Sequence, residues 1–304
     1  MVEMIERALL GRRDAVELAT CAFLSGGHLL IEDVPGVGKT TLARALARAT
    51  GGEFRRIQFT SDLLPADIVG VQVWDSKRGE FRFKRGPIFG NVVLSDEINR
   101  APPKTQSALL EAMSERQISV DGDAVALPRP FMVIATQNVQ EHHGTYPLPE
   151  SQMDRFTMRI TMGYPDREAE RQVIGRLTLE DPVQLVEPVV DLESLDEVTM
   201  FIDRVRVDES ILDYIVEIID KTRSTDLLSL GVGPRGGMAL HRAARTMAMM
   251  RGRDYCLPDD VKKVAVPVLA HRVIPSSDTG EGMWDRDIAD RAVANILDSI
   301  EIPI

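Results

Sequence analysis

Cysteine is nearly absent: Cys21 and Cys256 are the only two in 304 residues. They are far apart and match no zinc or redox spacing, so a disulfide framework and a thiolate metal site are both excluded as the basis of the fold. Two free thiols in a reducing cytoplasm are expected. The chain also lacks any apolar run near the ~20 residues that a membrane span needs. Its first stretch, Met1 to Arg13, carries Glu3, Glu6, Arg7 and Arg12, so it reads as no signal peptide. Basic residues are outnumbered: 36 Lys and Arg against 47 Asp and Glu give a net charge of −11. Such a balance, with a pI near 5.1, disfavours a nucleic-acid partner, which needs a basic surface. Histidine is scarce, with five in all, and the adjacent His142-His143 pair reads as loop rather than as metal ligands. No internal repeat or low-complexity segment is visible.

What remains is ordinary for a water-soluble globular chain, 44% hydrophobic and 27% charged, and long enough for roughly two domains. The most informative stretch begins at His28. Leu29-Leu30-Ile31-Glu32 reads as a buried strand, Asp33 to Thr41 as a glycine-containing loop, and Leu42 to Ala49 as a helix. Strand, Gly-Lys-Thr loop and helix form the context of a phosphate-binding P-loop, with Pro35, Gly36, Val37, Gly38, Lys39, Thr40 and Thr41 around the phosphates. Gly36 and Gly38 let backbone N–H groups turn inward, and the helix start adds partial positive charge. Lys39 would reach the β- and γ-phosphates of ATP, and the Thr40 hydroxyl would hold Mg²⁺. One residue departs from the strict pattern: Asp33 stands where glycine is usual.

Asn91 to Asp96 reads as a second apolar strand, ending in Asp96-Glu97. Beside a P-loop, that pair has the chemistry of a Walker B segment. Asp96 would hold Mg²⁺ through its water shell, and Glu97 would take a proton from attacking water. Phe131 to Thr136 is another buried strand, leading to Gln137-Asn138. Asn138 could orient the attacking water or serve only as a turn residue.

Five strands, near 28–32, 54–59, 92–96, 131–136 and 157–162, alternate with helices, which predicts a parallel α/β sheet with its site at the strand C-termini. Two hairpins interrupt the alternation, one over 71–84 and one over 117–127 with Asp121-Gly122 at its turn. Their tips, near 75–80 and 121–123, are charged and lack large apolar residues, which predicts contact with a folded partner rather than threading of an unfolded chain. After Gly163-Tyr164-Pro165 only helical patterns remain, over 166–177, 193–205, 208–225, 234–251, 258–272 and 286–300, with a polar linker at 276–282. The predicted domains are therefore 1–164, an α/β nucleotide-binding core, and 165–304, an all-helical lid.

The sequence Asp96-Glu97-Ile98-Asn99-Arg100-Ala101-Pro102-Pro103-Lys104-Thr105-Gln106, with Ala135-Thr136-Gln137-Asn138, Gly144-Thr145-Tyr146-Pro147-Leu148-Pro149-Glu150 and Asp154-Arg155-Phe156, resembles the MoxR family of AAA+ ATPases. The resemblance runs over nearly the whole chain. Val139, where the family often has proline, is a small departure. The resemblance implies an AAA+ core with a helical lid, ATP hydrolysis with Mg²⁺, and sensor 1 at Asn138. It further implies an arginine finger at Arg155 and sensor 2 at Arg235. It also implies a cytoplasmic hexameric ring. Its clients would carry von Willebrand factor A domains, sometimes in metal-cofactor insertion. The alternatives are a chelatase motor subunit, a close cousin that also works with a von Willebrand partner, and, less favoured by the acidic charge, a nucleic-acid motor.

Overall fold

A computed structural model describes residues 1–120, 122–138, 144–175, 181–276 and 286–303. The expectations for Asp121, Val139, the His142-His143 pair, the end of the 166–177 helix and nearly all of the 276–282 linker lie outside the described residues.

Five strands form one sheet: Leu29–Glu32, Phe54–Gln58, Val92–Asp96, Met132–Gln137 and Met158–Ile160. Their spatial order puts Phe54–Gln58 at one edge, then Val92–Asp96, Met132–Gln137, Leu29–Glu32 and Met158–Ile160. Leu29–Glu32 pairs in parallel with Met132–Gln137, and Val92–Asp96 pairs in parallel with both of its neighbours. The three middle strands are continuously apolar over most of their length because both faces are covered, as parallel strands require. Register then decides which side chains meet at the C-terminal edge. Gln58 lies opposite Asp96, Ser95 opposite Ala135, and Glu32 opposite Gln137.

The Lys39–Ala49 helix buries Leu42, Ala43, Ala45, Leu46, Ala47 and Ala49, a stripe of mostly small residues that suits close approach to the sheet. Residues beyond 164 continue this unit: Arg44 Nη2 donates to Asp181 Oδ2 at 2.5 Å, Arg48 Nε to the Val186 carbonyl at 2.5 Å, and the Val189 N–H to the Ala49 carbonyl at 2.9 Å. By its internal contacts the chain divides into one unit of residues 1–20, 28–148 and 160–195, and another of 21–27, 149–159 and 196–304. The division differs from a single cut at 164, because these long-range hydrogen bonds leave no trace in local sequence pattern.

The second unit is built on the helices Glu209–Ser224, Pro234–Met250, Pro258–Leu269 and Arg286–Ser299. Asp260, fully buried, accepts the Leu257 N–H at 2.9 Å and pairs with Arg251 and Arg253 at 3.0 and 2.6 Å. The expectation that strands end before residue 164 is corrected here. Leu228–Leu230 pairs antiparallel with Ile274–Pro275, a ladder too short for an alternating pattern to reveal. The short helices Val2–Glu6 and Pro65–Val69 were likewise not read from sequence. Cys21 and Cys256 are free and buried, as expected. Among the described residues, no helix is long and apolar enough to cross a membrane.

Both hairpins are present, as Gly70–Asp75 with Glu80–Arg85 and as Gln117–Val120 with Asp123–Ala126. The first carries a feature beyond its tip, 75–80. Its turn is charged, but Trp74 and Phe81 sit opposite each other just behind it, edge to face at 5.1 Å and 54% and 67% exposed. Large apolar residues therefore flank this tip.

His28 predicts a pH dependence of stability. Its Nδ1 accepts the Val133 N–H at 3.0 Å and its Nε2 donates to the Met113 carbonyl at 3.2 Å, so the ring is needed neutral. Burial lowers its pKa to about 4, against an ordinary 6.5. His271 is lowered in the same direction by burial and by Arg272. The unfolded chain takes up protons below pH 6.5 that the folded chain refuses until near 4. Stability is therefore full above 6.5 and falls between 6.5 and 4, by ~3 kcal/mol for His28. Urea midpoints should drop between pH 7.5 and 5, and less steeply in His28→Gln. Equal midpoints at both pH values would refute this.

Candidate nucleotide site

The P-loop lies between Leu29–Glu32 and Lys39–Ala49. Its left-handed positions fall on Gly36 (φ +83°) and Gly38 (φ +99°). A Cβ on Gly38 would also stand 3.0 Å from Leu9 Cδ1. Asp33 has no positive φ, so glycine is not required there, and its carboxylate is put to use. Oδ1 accepts the Val34 N–H at 2.8 Å, while Oδ2 accepts the N–H groups of Met162 and Gly163, both at 2.6 Å. The departure from the strict pattern thus ties the loop to the chain leaving the edge strand.

Gly38 caps the helix without any side-chain hydrogen bond, and no acidic residue stands in its first turn. The leading amides and the positive end of the helix dipole are left for an anionic ligand, which fits phosphate. Lys39 Nζ donates to the Asp33 carbonyl at 2.7 Å. Burial lowers its pKa, while Asp33, Asp96 and Glu97 oppose that shift, which places the ammonium within the field of both strand-end acids.

The acids are organised by Thr136, which carries no motif of its own in the sequence. The Thr136 hydroxyl donates to Asp96 Oδ1 at 2.7 Å and accepts the Glu97 N–H at 2.9 Å. Asp96 Oδ2 receives Arg56 Nη2 at 2.5 Å. Glu97 Oε2 receives Gln58 Nε2 at 2.9 Å and lies 3.2 Å from Arg100 Nε. Glu97 itself is left-handed, at φ 57° and ψ 50°. A non-glycine residue pays about 1 kcal/mol or more for that conformation, which persists where surroundings enforce it. Arg56 and Gln58 are exposed polar residues in the strand Phe54–Gln58, in which Ile57 alone is buried, and their part in the site appears only with the strand pairing.

The sheet thus brings Lys39, Thr40, Asp96 and Glu97 together within one unit, with Asn138 directly after the end of Met132–Gln137. Arg155 and Arg235 belong to the other unit, on the turn after Glu150–Met153 and at the start of Pro234–Met250. A hydroxyl and one carboxylate are the donor set that suits Mg²⁺, which completes its shell with phosphate oxygens and water. When bound, the ion would neutralise phosphate charge. Among the described residues, no group of three or more His, Cys, Asp or Glu could hold a metal by itself.

The stretch after the undescribed 139–143 is fixed to the same region. The Tyr146 N–H donates to the Asn99 carbonyl at 2.6 Å. Gln106 Nε2 bridges the carbonyls of Ile98 and Tyr146, at 3.1 and 2.9 Å. The residues just beyond Glu97 and the Gly144–Glu150 stretch are therefore held by one buried amide.

Residues 28–158 match the ATPase family associated with various cellular activities (AAA), and residues 220–291 match an AAA lid domain. The chain is 46% identical over 303 residues to the uncharacterized protein YeaC of Bacillus subtilis, covering 100% of this chain and 94% of that one. It is 40% identical to the chaperone MoxR1 of Mycobacterium tuberculosis over 98% of this chain and 80% of that one. A crystal structure of a putative ATPase from Cytophaga hutchinsonii superposes with a TM-score of 0.89 at 36% identity, covering 100% of this chain and 94% of that one.

Proposed function

The chain belongs to the MoxR family of AAA+ ATPases, a chaperone-like nucleotide-hydrolysing family, and from that premise we propose how its residues divide the work. Lys39 and the amides of Pro35 to Thr41 hold the phosphates of ATP. Thr40 and Asp96 hold Mg²⁺. Glu97 accepts the proton of the attacking water, and Asn138 orients that water. Arg155 stabilises transition-state charge on a neighbouring subunit's nucleotide, within a hexameric ring in the cytoplasm. Arg235 senses the γ-phosphate. The observation that carries this reading is the Thr136 bridge, which joins the Asp96 carboxylate to the backbone of Glu97 at the C-terminal edge of the sheet.

The client is a folded protein with a von Willebrand factor A domain, and metal-cofactor insertion is one setting for its remodelling. Trp74 and Phe81 supply the apolar part of the contact, since buried aromatics dominate interface energetics. Mass spectrometry of proteins retained by the Glu97→Gln variant with ATP should return such domains. Trp74→Ala with Phe81→Ala should reduce their capture about tenfold or more, with basal ATPase intact. Capture that is unchanged in the double variant would place the client elsewhere. Retention dominated by nucleic acid would overturn the client class.

A further inference from the structure

Arg272 ends the short helical turn Ala270–Arg272, and its side chain is buried, only 4% exposed. A guanidinium carries five donors and cannot give up its charge, so burying it requires a dense set of acceptors. Most of the acceptors come from one remote stretch, 154–157, while Val268 and His271 Nε2, the latter at 2.8 Å, are local partners. Nε donates to Asp154 Oδ1 at 2.8 Å, and Nη2 to the carbonyls of Asp154 and Phe156 at 3.4 and 2.6 Å. Nη1 donates to the Thr157 carbonyl at 3.3 Å and to that of Val268 in the preceding helix, Pro258–Leu269. His271 Nε2 adds a contact to the Phe156 carbonyl at 3.0 Å. The carbonyls of the residues before and after Arg155 are thus pinned, while Arg155 itself is only half-buried. The second carboxylate oxygen of Asp154 faces Arg235 Nη1 at 3.6 Å.

We infer that Arg272 is a positioning residue: through Asp154 and the flanking carbonyls it sets the backbone from which Arg155 projects and links that turn to Arg235. The inference rests on the reading of Arg155 as catalytic. A lysine could not replace Arg272, since its ammonium is a point charge with three donors and no planar fork. The clamp gives the two arginines a common mount within one unit, so that a shift of the Ala270–Arg272 turn moves both.

The test uses the full chain, with Arg272→Lys and Asp154→Asn made alone and in an Arg155→Ala background. Three quantities are read: ATP turnover, affinity for a fluorescent ATP analogue, and the urea midpoint. Each variant should lower kcat by about 10- to 100-fold, the cost of a small misplacement, with analogue affinity changed by less than about twofold. In the Arg155→Ala background each should cost far less than it does alone, because Arg155 is already gone and only the link to Arg235 is left to lose. A merely structural role would lower the midpoint and multiply with Arg155→Ala, which overturns the inference, as does unchanged turnover in both single variants. If Arg272→Lys fails to fold, Asp154→Asn decides, since that side chain is 30% exposed and tolerates the change. Wild-type turnover in Arg155→Ala alone would instead remove the underlying reading of Arg155, and the clamp's catalytic role with it.

Discussion

Glu97→Gln should keep ATP bound and slow its hydrolysis by ~10²–10⁴, the range for losing a general base. The substitution preserves volume and leaves the left-handed turn to be held by the same Thr136 hydroxyl, which contacts only the backbone of residue 97. What it removes is the ability to accept a proton. The P-loop is untouched, so affinity for ATP should not fall. Competing interactions in the wild-type chain sharpen the expectation. Glu97 Oε2 is engaged by Gln58 and faces Arg100, so a free carboxylate oxygen depends on those partners yielding. Gln58→Ala should accordingly change turnover far less than Glu97→Gln does. Hydrolysis by Glu97→Gln at the wild-type rate would remove the general-base assignment.

Arg155→Ala should lower turnover by ~10³–10⁵, the range for losing a cation that meets transition-state charge. Binding should survive, because Lys39 and the leading amides of its helix belong to a unit that does not contain Arg155. The fold should survive as well, since the surrounding turn is held by Arg272 and by backbone bonds such as Arg155 N–H to the Gln152 carbonyl. Loss of ATP affinity in step with turnover would point to a binding role instead, and an unchanged rate would leave Arg155 without a part in the reaction.

How much of this was legible in the sequence depended on the range over which each signal acts. The strand, loop and helix around Lys39 announce themselves through local composition. The five strands could be counted from apolar runs. Their spatial order could not, because register is a property of pairs: nothing within Phe54–Gln58 says that Gln58 will stand opposite Asp96. Thr136 was passed over for the same reason. A threonine in an apolar strand reads as a β-branched filler, and its hydroxyl acquires a role only once Val92–Asp96 is its neighbour. Asp33 is the converse case. The motif marks it as an exception, and the structure supplies its reason in two amides nearly 130 residues away in the chain, at Met162 and Gly163. The exposed aromatic pair behind the first hairpin's charged turn is another property of pairing. Trp74 and Phe81 are separated by the whole turn in sequence but face each other across it. Arg155 and Arg235 carried no local signal that separates them from surface arginines. Family resemblance drew attention to them, and Asp154 with Arg272 supplies the physical connection between them.

The central claim is that hydrolysis needs Glu97 of one subunit and Arg155 of another. Assemblies mixed from Glu97→Gln and Arg155→Ala chains, with mixing verified by differently labelled subunits, measure it directly. Each variant alone should be nearly inactive. The mixture should recover ATPase activity in proportion to the interfaces that pair an intact Glu97 with an intact Arg155. Verified mixed assemblies that recover no activity would contradict the account.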